Sequence, residues 1–291
     1  MLGTGKPSWQ VSGTLSKGLI SSLAQPAPDM SPADVWQRIL AAPADAGLEA
    51  EYVAALTAAG DSRAEVFALA ADYERLRSGS YLDAAAELKP RLDSRLAEWR
   101  AYFAPHTDAW NGTIQFVMGW PIELAITATD FARCAADIVV TLPIRHLDLA
   151  AINEQPAVFD VPQFDQIASL NGSKQVWSAA ALGALANSAH LGSLRWLDLS
   201  ACSISEAQVE VLAASAALKN VAMLDLTDNP APDPVDASAG YGVDWQSNRI
   251  IPDSIFLPAF GVELEAKYGK IAWLHGLWNY LEDYPPSRYS F

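Results

Sequence analysis

The chain reads as an α/β solenoid: short parallel strands, each followed by a helix on the convex side, preceded by a small all-helical region. Three observations predict this. Residues 191–230 carry one pattern twice, since Leu194-x-x-Leu197-x-Leu199-x-x-Cys202 returns as Val221-x-x-Leu224-x-Leu226-x-x-Asn229 with every position displaced by 27 residues. Self-similarity at such a period marks one supersecondary unit stacked on its copy. Between residues 31 and 109 apolar side chains recur at helical spacing, and from Trp110 onward the spacing drops to two.

Composition narrows the function. A chain of 291 residues with 51% hydrophobic content and a mean hydropathy of +0.09 buries a large core and is not disordered. The longest apolar run, CAADIVVTLPI at 134–144, falls short of the roughly 18–20 residues a bilayer span requires. The first thirty residues hold no apolar stretch suited to a secretory signal, so the chain is expected in the cytoplasm. A net charge of −15 opposes binding to nucleic acid or an anionic membrane face, both of which select clustered Lys and Arg, and favours a basic protein partner. The same charge also serves solubility. The two cysteines, Cys134 and Cys202, read as buried thiols.

Four regions follow in order. Residues 1–30, rich in Gly, Ser and Pro, read as a flexible leader. Residues 31–109 are helical. Ser31 is placed to cap the first helix, Pro32 suits its first position, and Asp34 lies in the first turn, where the helix dipole favours an anion. A second helix over 48–59 is stopped by Gly60-Asp61, a third runs from Ser62 to Ser78-Gly79, and two more are predicted over 82–88 and 94–103.

Within 110–230, residues 113–117 and 122–126 alternate around Gly119-Trp120-Pro121 as opening strands, a helix covers 131–139, and Ile144-x-x-Leu147-x-Leu149 is the first repeat strand. Leu149 and Leu199 lie 50 residues apart, four short of two periods. One degenerate coil is therefore expected over 152–190, with a turn at Asn171-Gly172-Ser173, a strand near 174–177 and a helix over 178–188. Ser205 and Gln208 form a capping box for the next helix. Pro230, Pro232 and Pro234 end the repeats. In 231–291, residues up to 258 read as a surface connection anchored by Tyr241 and Trp245. Helices over 261–268 and 271–281 follow, the second presenting Ile271, Leu274, Leu277, Trp278 and Leu281 as a cap for the core.

The period and spelling at 194–229 resemble a leucine-rich repeat. The helical region adds a second resemblance, through Leu40-Ala41-Ala42-Pro43-x-Asp45, Tyr52 and Leu56, the Gly60-Asp61-Ser62-Arg63 turn, and Glu65, Phe67 and Leu69. These are similar to the repeat-companion domain that precedes leucine-rich repeats in many bacterial proteins. A closing phrase of such proteins returns in Glu263-Leu264-Glu265-Ala266-Lys267-Tyr268-Gly269 and Trp273-Leu274-His275. The chain departs from that pattern at Ala54 and Ala55, where an Asp-Trp pair usually stands. The resemblance implies an architecture, a bacterial leucine-rich-repeat protein with its companion domain, and carries no enzymatic activity.

In Leu-x-x-Leu-x-Leu the leucines face the core and the intervening residues face away, because side chains alternate along a strand. Three outward columns result: His146, Trp196, Met223; Asp148, Asp198, Asp225; and Ala150, Ser200, Thr227. Like charges on neighbouring strands repel by up to roughly 1 kcal/mol, so the aspartates invite a Lys or Arg from a partner. Trp196 points outward by register, where either a partner protein or the chain's own leader would cover it, and with Met223 it is expected to anchor that partner. The predicted partner-binding set is thus Trp196, Asp198, Met223, Asp225, His146 and Asp148. The same aspartates also fit a merely solvated face, since Leu-Asp-Leu is common in such repeats.

Signs of chemistry are weak. Gly3-Thr4-Gly5-Lys6 lacks the spacing of a phosphate loop. His106, His146, His190 and His275 are too scattered for a metal motif, and no G-x-S-x-G elbow occurs. The reading is therefore a non-enzymatic interaction module, monomeric in isolation and without cofactor or metal. It would bind a protein with a basic patch, for example as an inhibitor or immunity-type partner. The alternatives are an enzyme using some of His106, Glu123 and Asp130, between the helical region and the repeats, and a purely structural repeat protein.

Overall fold

A computed structural model describes residues 30–232, 234, 241–244, 249–252 and 258–275. Among these are eight α-helices and a six-stranded, mostly parallel sheet. Helices α1 (Pro32–Ala41), α2 (Ala46–Ala58), α3 (Arg63–Ser78) and α4 (Leu82–Trp110) come first. The expected cap is present: the Ser31 hydroxyl accepts from Asp34 N–H, and the Asp34 carboxylate accepts from Ser31 N–H, each at 3.3 Å. Beyond Gly60 the Asp61 carboxylate accepts from the Arg63 backbone at 2.9 Å and from its guanidinium at 2.7 Å, which fixes the turn into α3.

The two helices expected over 82–88 and 94–103 are one helix of 29 residues, α4, with Pro90 and Pro105 inside it. Each proline removes one backbone N–H, but the carbonyls left without it belong to Ala86 and Ala101, two exposed residues whose backbone can turn to water. Ala85, Leu92, Leu96, Trp99, Phe103 and Trp110 keep one apolar face buried along its whole length. Packing of that face outweighs the local break.

Strands β1 (Thr113–Val117) and β2 (Trp120–Thr127) form an antiparallel hairpin closed by Met118 (φ 50°) and Gly119 (φ 86°), the two positive φ angles that a tight hairpin turn requires. A Cβ on Gly119 would lie 3.1 Å from the Phe67 ring, and Phe67 packs on Trp120 with ring centres 4.5 Å apart. Helix α3 thereby meets the sheet. One continuous core runs from Val35 through this contact to Leu274.

After β2 the sheet is parallel, in the order β1-β2-β3-β4-β5-β6. Its strands are β3 (His146–Ala150), β4 (Ser169–Asn171), β5 (Trp196–Asp198) and β6 (Met223–Asp225). Helices α5 (Ala128–Thr141), α6 (Ala179–Asn187) and α7 (Glu206–Ala213) join β2 to β3, β4 to β5 and β5 to β6. Leu124, Leu147, Leu170, Leu197 and Leu224 stand in one register row, all buried.

The β3–β4 connection differs from the expectation. The strand lies at Ser169–Asn171, not near 174–177, and residues 152–166 form three short 3-10 turns where an α-helix stands in the neighbouring units. Leu147 to Leu170 spans 23 residues, as does Leu124 to Leu147 around α5, against 27 for the next two steps. Residues 174–177 form the corner: Lys174 has φ 58°, and the Trp177 indole N–H donates to the Gly172 carbonyl at 2.9 Å with its ring stacked on Phe159.

The corners repeat. Ala151, Lys174, Ala201 and Asp228 occupy equivalent places after their strands, and all have φ between 54° and 59°. In the last three, the residue that follows reaches back to the preceding unit: the Gln175 amide donates to Leu149 O (2.7 Å), the Cys202 thiol to Gly172 O (3.2 Å) and the Asn229 amide to Leu199 O (2.8 Å). Asn229 also accepts from Cys202 N–H and Ile204 N–H, each at 2.9 Å. Cys134 and Cys202 are both buried. The Ser205–Gln208 cap is present, with the Gln208 side chain accepting from Ser205 N–H at 2.9 Å.

Beyond β6, the expected irregular connection contains an antiparallel pair, β7 (Tyr241–Asp244) with β8 (Arg249–Pro252). Helix α8 (Ala259–Tyr268) packs on α7, where Lys267 meets Glu210 at 2.6 Å. Instead of an α-helix from Ile271, the described residues there show a 3-10 turn, Ala272–Leu274, which packs on β6 with Trp273 and Leu274 buried. Residues 1–29 of the leader, Trp245, Leu277, Trp278 and Leu281 lie outside the described residues.

Two sets of substitutions check this account. A Cβ at Gly172 would stand 2.5 Å from the Trp177 ring, whereas at Gly183 in α6 it meets nothing within 4 Å. Gly172→Ala should lower stability by about 1–3 kcal/mol in urea unfolding, and Gly183→Ala should raise it by about 0.5–1 kcal/mol. Asn229→Ala strips partners from two backbone N–H groups and should cost at least about 2 kcal/mol in the same assay.

Candidate functional site

Opposite the leucines the sheet presents two polar rows. The first, in register, is Gln115, Glu123, His146, Ser169, Trp196 and Met223; the second is Thr113, Ala125, Asp148, Asn171, Asp198 and Asp225. The first two of the three columns expected from the repeat are thus in register, with β4 inserted between β3 and β5.

Exposure divides the predicted partner-binding residues. Trp196 (4% exposed), Asp198 (3%) and Asp225 (7%) are buried, whereas His146, Asp148 and Met223 are partly exposed. Trp196, outward by register, is thus covered within the chain itself. Strand register places its side chain on the outer face, but alternation along a strand says nothing about what else covers that face.

The aspartates have a local task. Asp198 accepts from Ser200 N–H at 2.9 Å, and Asp225 accepts from Thr227 N–H at 3.0 Å and from its hydroxyl at 2.7 Å. Asn171 accepts in the same way from Ser173 N–H at 3.0 Å. Each is an Asx turn, in which a short polar side chain bonds its own backbone two residues on and shapes the chain as it leaves the strand. Asp148 makes no such bond; Ala150 stands two residues on, at the end of β3 itself.

At the β2–β3 end of the face, polar groups are left uncommitted. Glu123 is 4% exposed, and among the described residues its Oε2 has no hydrogen-bond partner; neither has Nδ1 of its register neighbour His146. Leaving a buried polar group unsatisfied costs about 1–3 kcal/mol. Burial, reinforced by the Asp148 charge, pushes the Glu123 carboxyl up to about 7. Burial and the Arg145 charge push the His146 imidazole down to about 4. Asp148 is raised by burial and by Asp198, with Lys174 opposing. At neutral pH this corner therefore holds a carboxyl near its midpoint and an uncharged imidazole.

The alternative trio His106, Glu123 and Asp130 is not joined by any hydrogen bond or ion pair among the described residues. Asp130 is engaged by Asn111, Thr127 and Arg133 at the start of α5, and the His106 ring lies 5.5 Å from that of Trp110. His190 pairs with Asp165 and His275 with Glu265. Among the described residues, no group of three His, Cys, Asp or Glu side chains is placed to hold a metal ion, and no helix is long and apolar enough to cross a membrane.

Sequence reasoning placed His146 and Asp148 on this face but not Glu123 beside them. The available signal was the alternation of Ile122, Leu124 and Ile126, which turns Glu123 away from the core. Comparison with protein-family models, curated proteins and solved structures gives no match for this chain.

The two shifted groups make opposing contributions to stability. The Glu123 carboxyl is raised from its unfolded value near 4.5 to about 7, so its contribution declines as pH rises through that window. His146 is lowered from 6.5 to about 4, so its contribution grows as pH rises from 4 to 6.5. Relative to wild type, Glu123→Gln should make stability climb more steeply between pH 5 and 6.5 and should stabilise the protein at pH 8 by on the order of 3 kcal/mol. His146→Gln should make stability fall across the same interval. Urea unfolding at stepped pH measures both slopes.

Proposed function

We propose that the chain is a short leucine-rich-repeat solenoid preceded by a repeat-companion region, and that it acts as a non-enzymatic protein-interaction module in the cytoplasm. Support for the architecture comes from the parallel, in-register strands with their 27-residue steps and from the recurring left-handed corners. The partner is a basic protein, read through the face opposite the leucines, in the manner of an inhibitor or immunity-type protein.

One observation carries this reading. Asp148, Asn171, Asp198 and Asp225 stand side by side on adjacent parallel strands, and Met223 and His146 flank them at partly exposed positions. Three carboxylates, with the neutral Asn171 between the first two, give this row a negative charge, and the net charge of −15 speeds the approach of a positively charged protein. The solvent-facing part of the set, His146, Asp148 and Met223, makes the first contact.

The test uses those accessible positions, because charges placed at Asp198 or Asp225 would break the Asx turns. A basic partner isolated by affinity capture should bind the Asp148→Lys/Met223→Lys variant at least tenfold more weakly than wild type in calorimetric titration. Its affinity for wild type should fall as salt is raised. Equal affinity for both chains, with the variant's circular dichroism unchanged, would rule the face out.

A further inference from the structure

We propose that the corner where β2 meets β3 is a receptor for a single cationic N–H donor, a guanidinium or primary ammonium carried by the partner, with Glu123 at its base and His146 and Asp148 at its opening. This rests on the face being a binding surface and names the chemistry it reads. Along the second row, Asn171, Asp198 and Asp225 spend an oxygen on their own backbone; at this end of the sheet Asp148 does not. Glu123 adds a nine-tenths-buried carboxyl with Oε2 unpartnered among the described residues, and His146 adds an unpartnered Nδ1. Three uncommitted polar groups thus share one pair of neighbouring strands, since Glu123 pairs with His146 in register and Asp148 follows two residues later.

The donor set selects the guest. An ionised carboxylate only accepts hydrogen bonds, and a neutral imidazole has one nitrogen free to accept. Glu123 Oε2 and the Asp148 carboxylate, joined by His146 Nδ1 in the tautomer protonated at Nε2, therefore call for a group with several N–H donors and no lone pair. An anionic guest would face two carboxyls. A guanidinium offers five donors in a planar fork and an ammonium three around a point charge.

The charges acting here are Asp148 on Glu123, Asp198 and Lys174 on Asp148, and Arg145 on His146 and on Glu49 of α2; Gln115, the β1 neighbour of Glu123, is uncharged. A guest cation beside Glu123 favours its ionised form, so binding releases the carboxyl proton to solvent and weakens as pH falls below neutrality.

The experiment is carbon-detected NMR of the glutamate carboxyls in the full chain, titrated with pH alone and then with Nα-acetyl-arginine amide or Nα-acetyl-lysine amide. The Glu123 signal should titrate near neutral pH in the free protein, and its midpoint should fall by at least one unit under saturating probe. That shift corresponds to a tenfold preference of the probe for the ionised form. Glu123→Gln, which keeps the shape but replaces one acceptor oxygen by an N–H donor and removes the charge, should weaken the probe at least tenfold, and Asp148→Asn at the partly exposed opening should weaken it several-fold. The tighter of the two probes identifies the guest as guanidinium or ammonium. A Glu123 midpoint unmoved by tens of millimolar of either probe, or a Glu123→Gln chain that binds them as wild type does, would overturn the receptor. A basic protein that loses affinity for Asp148→Lys/Met223→Lys yet binds Glu123→Gln as tightly as wild type would overturn the receptor while leaving the interaction surface standing. A midpoint moved by the probes, with no protein bound through the face, would support the receptor and remove the larger reading.

Discussion

Everything in the sheet depends on keeping one apolar row in register across five strands. Leu124, Leu147, Leu170, Leu197 and Leu224 face the core side by side. A shift of one residue in any strand would exchange its core and outer faces. Parallel strands need a crossover, so each connection must return the chain to the same row. The 27-residue steps do this with helices α6 and α7. Of the two 23-residue steps, Leu124 to Leu147 does it with α5, and Leu147 to Leu170 does it with 3-10 turns, two of which begin at Pro156 and Pro162. Ile152, Val158, Phe159 and Phe164, all buried, fill the space that a helix would have occupied.

The corners show how backbone strain is accommodated. Ala151, Lys174, Ala201 and Asp228 are not glycines, and a left-handed conformation costs an L-residue roughly 1–2 kcal/mol. Hydrogen bonds from Gln175, Cys202 and Asn229 to the preceding unit, and the Asx turns of Asn171, Asp198 and Asp225, hold those conformations. Two of the aspartates that look like a recognition feature in the sequence are thus also part of the corner, and Asp148 differs in having no such bond. At the β2–β3 end, Glu123 Oε2 and His146 Nδ1 have no hydrogen-bond partner among the described residues, and for that reason it carries the cation-receptor proposal.

Much of this could be read from residue order, because side-chain alternation and helix capping are local. The repeat at 194–229 located β5 and β6, Ser31 and Ser205 marked helix starts, and the outward columns followed from counting by twos. Where packing competes with local preference, the reading failed. The break expected between the helices over 82–88 and 94–103 is overridden by the buried face of α4, and the strand expected near 174–177 gives way to a corner in which the Trp177 ring is drawn onto Gly172 and Phe159.

The sequence by itself determined which residues of each strand share a face, since Cβ directions alternate whatever the neighbours are. Only the tertiary structure decided which strands lie side by side and how deeply each face is buried, because both depend on contacts between distant parts of the chain. That is why Asp148 and His146 could be placed from counting alone. The pairing of Glu123 with His146, the insertion of β4 and the burial of Trp196 required the folded chain.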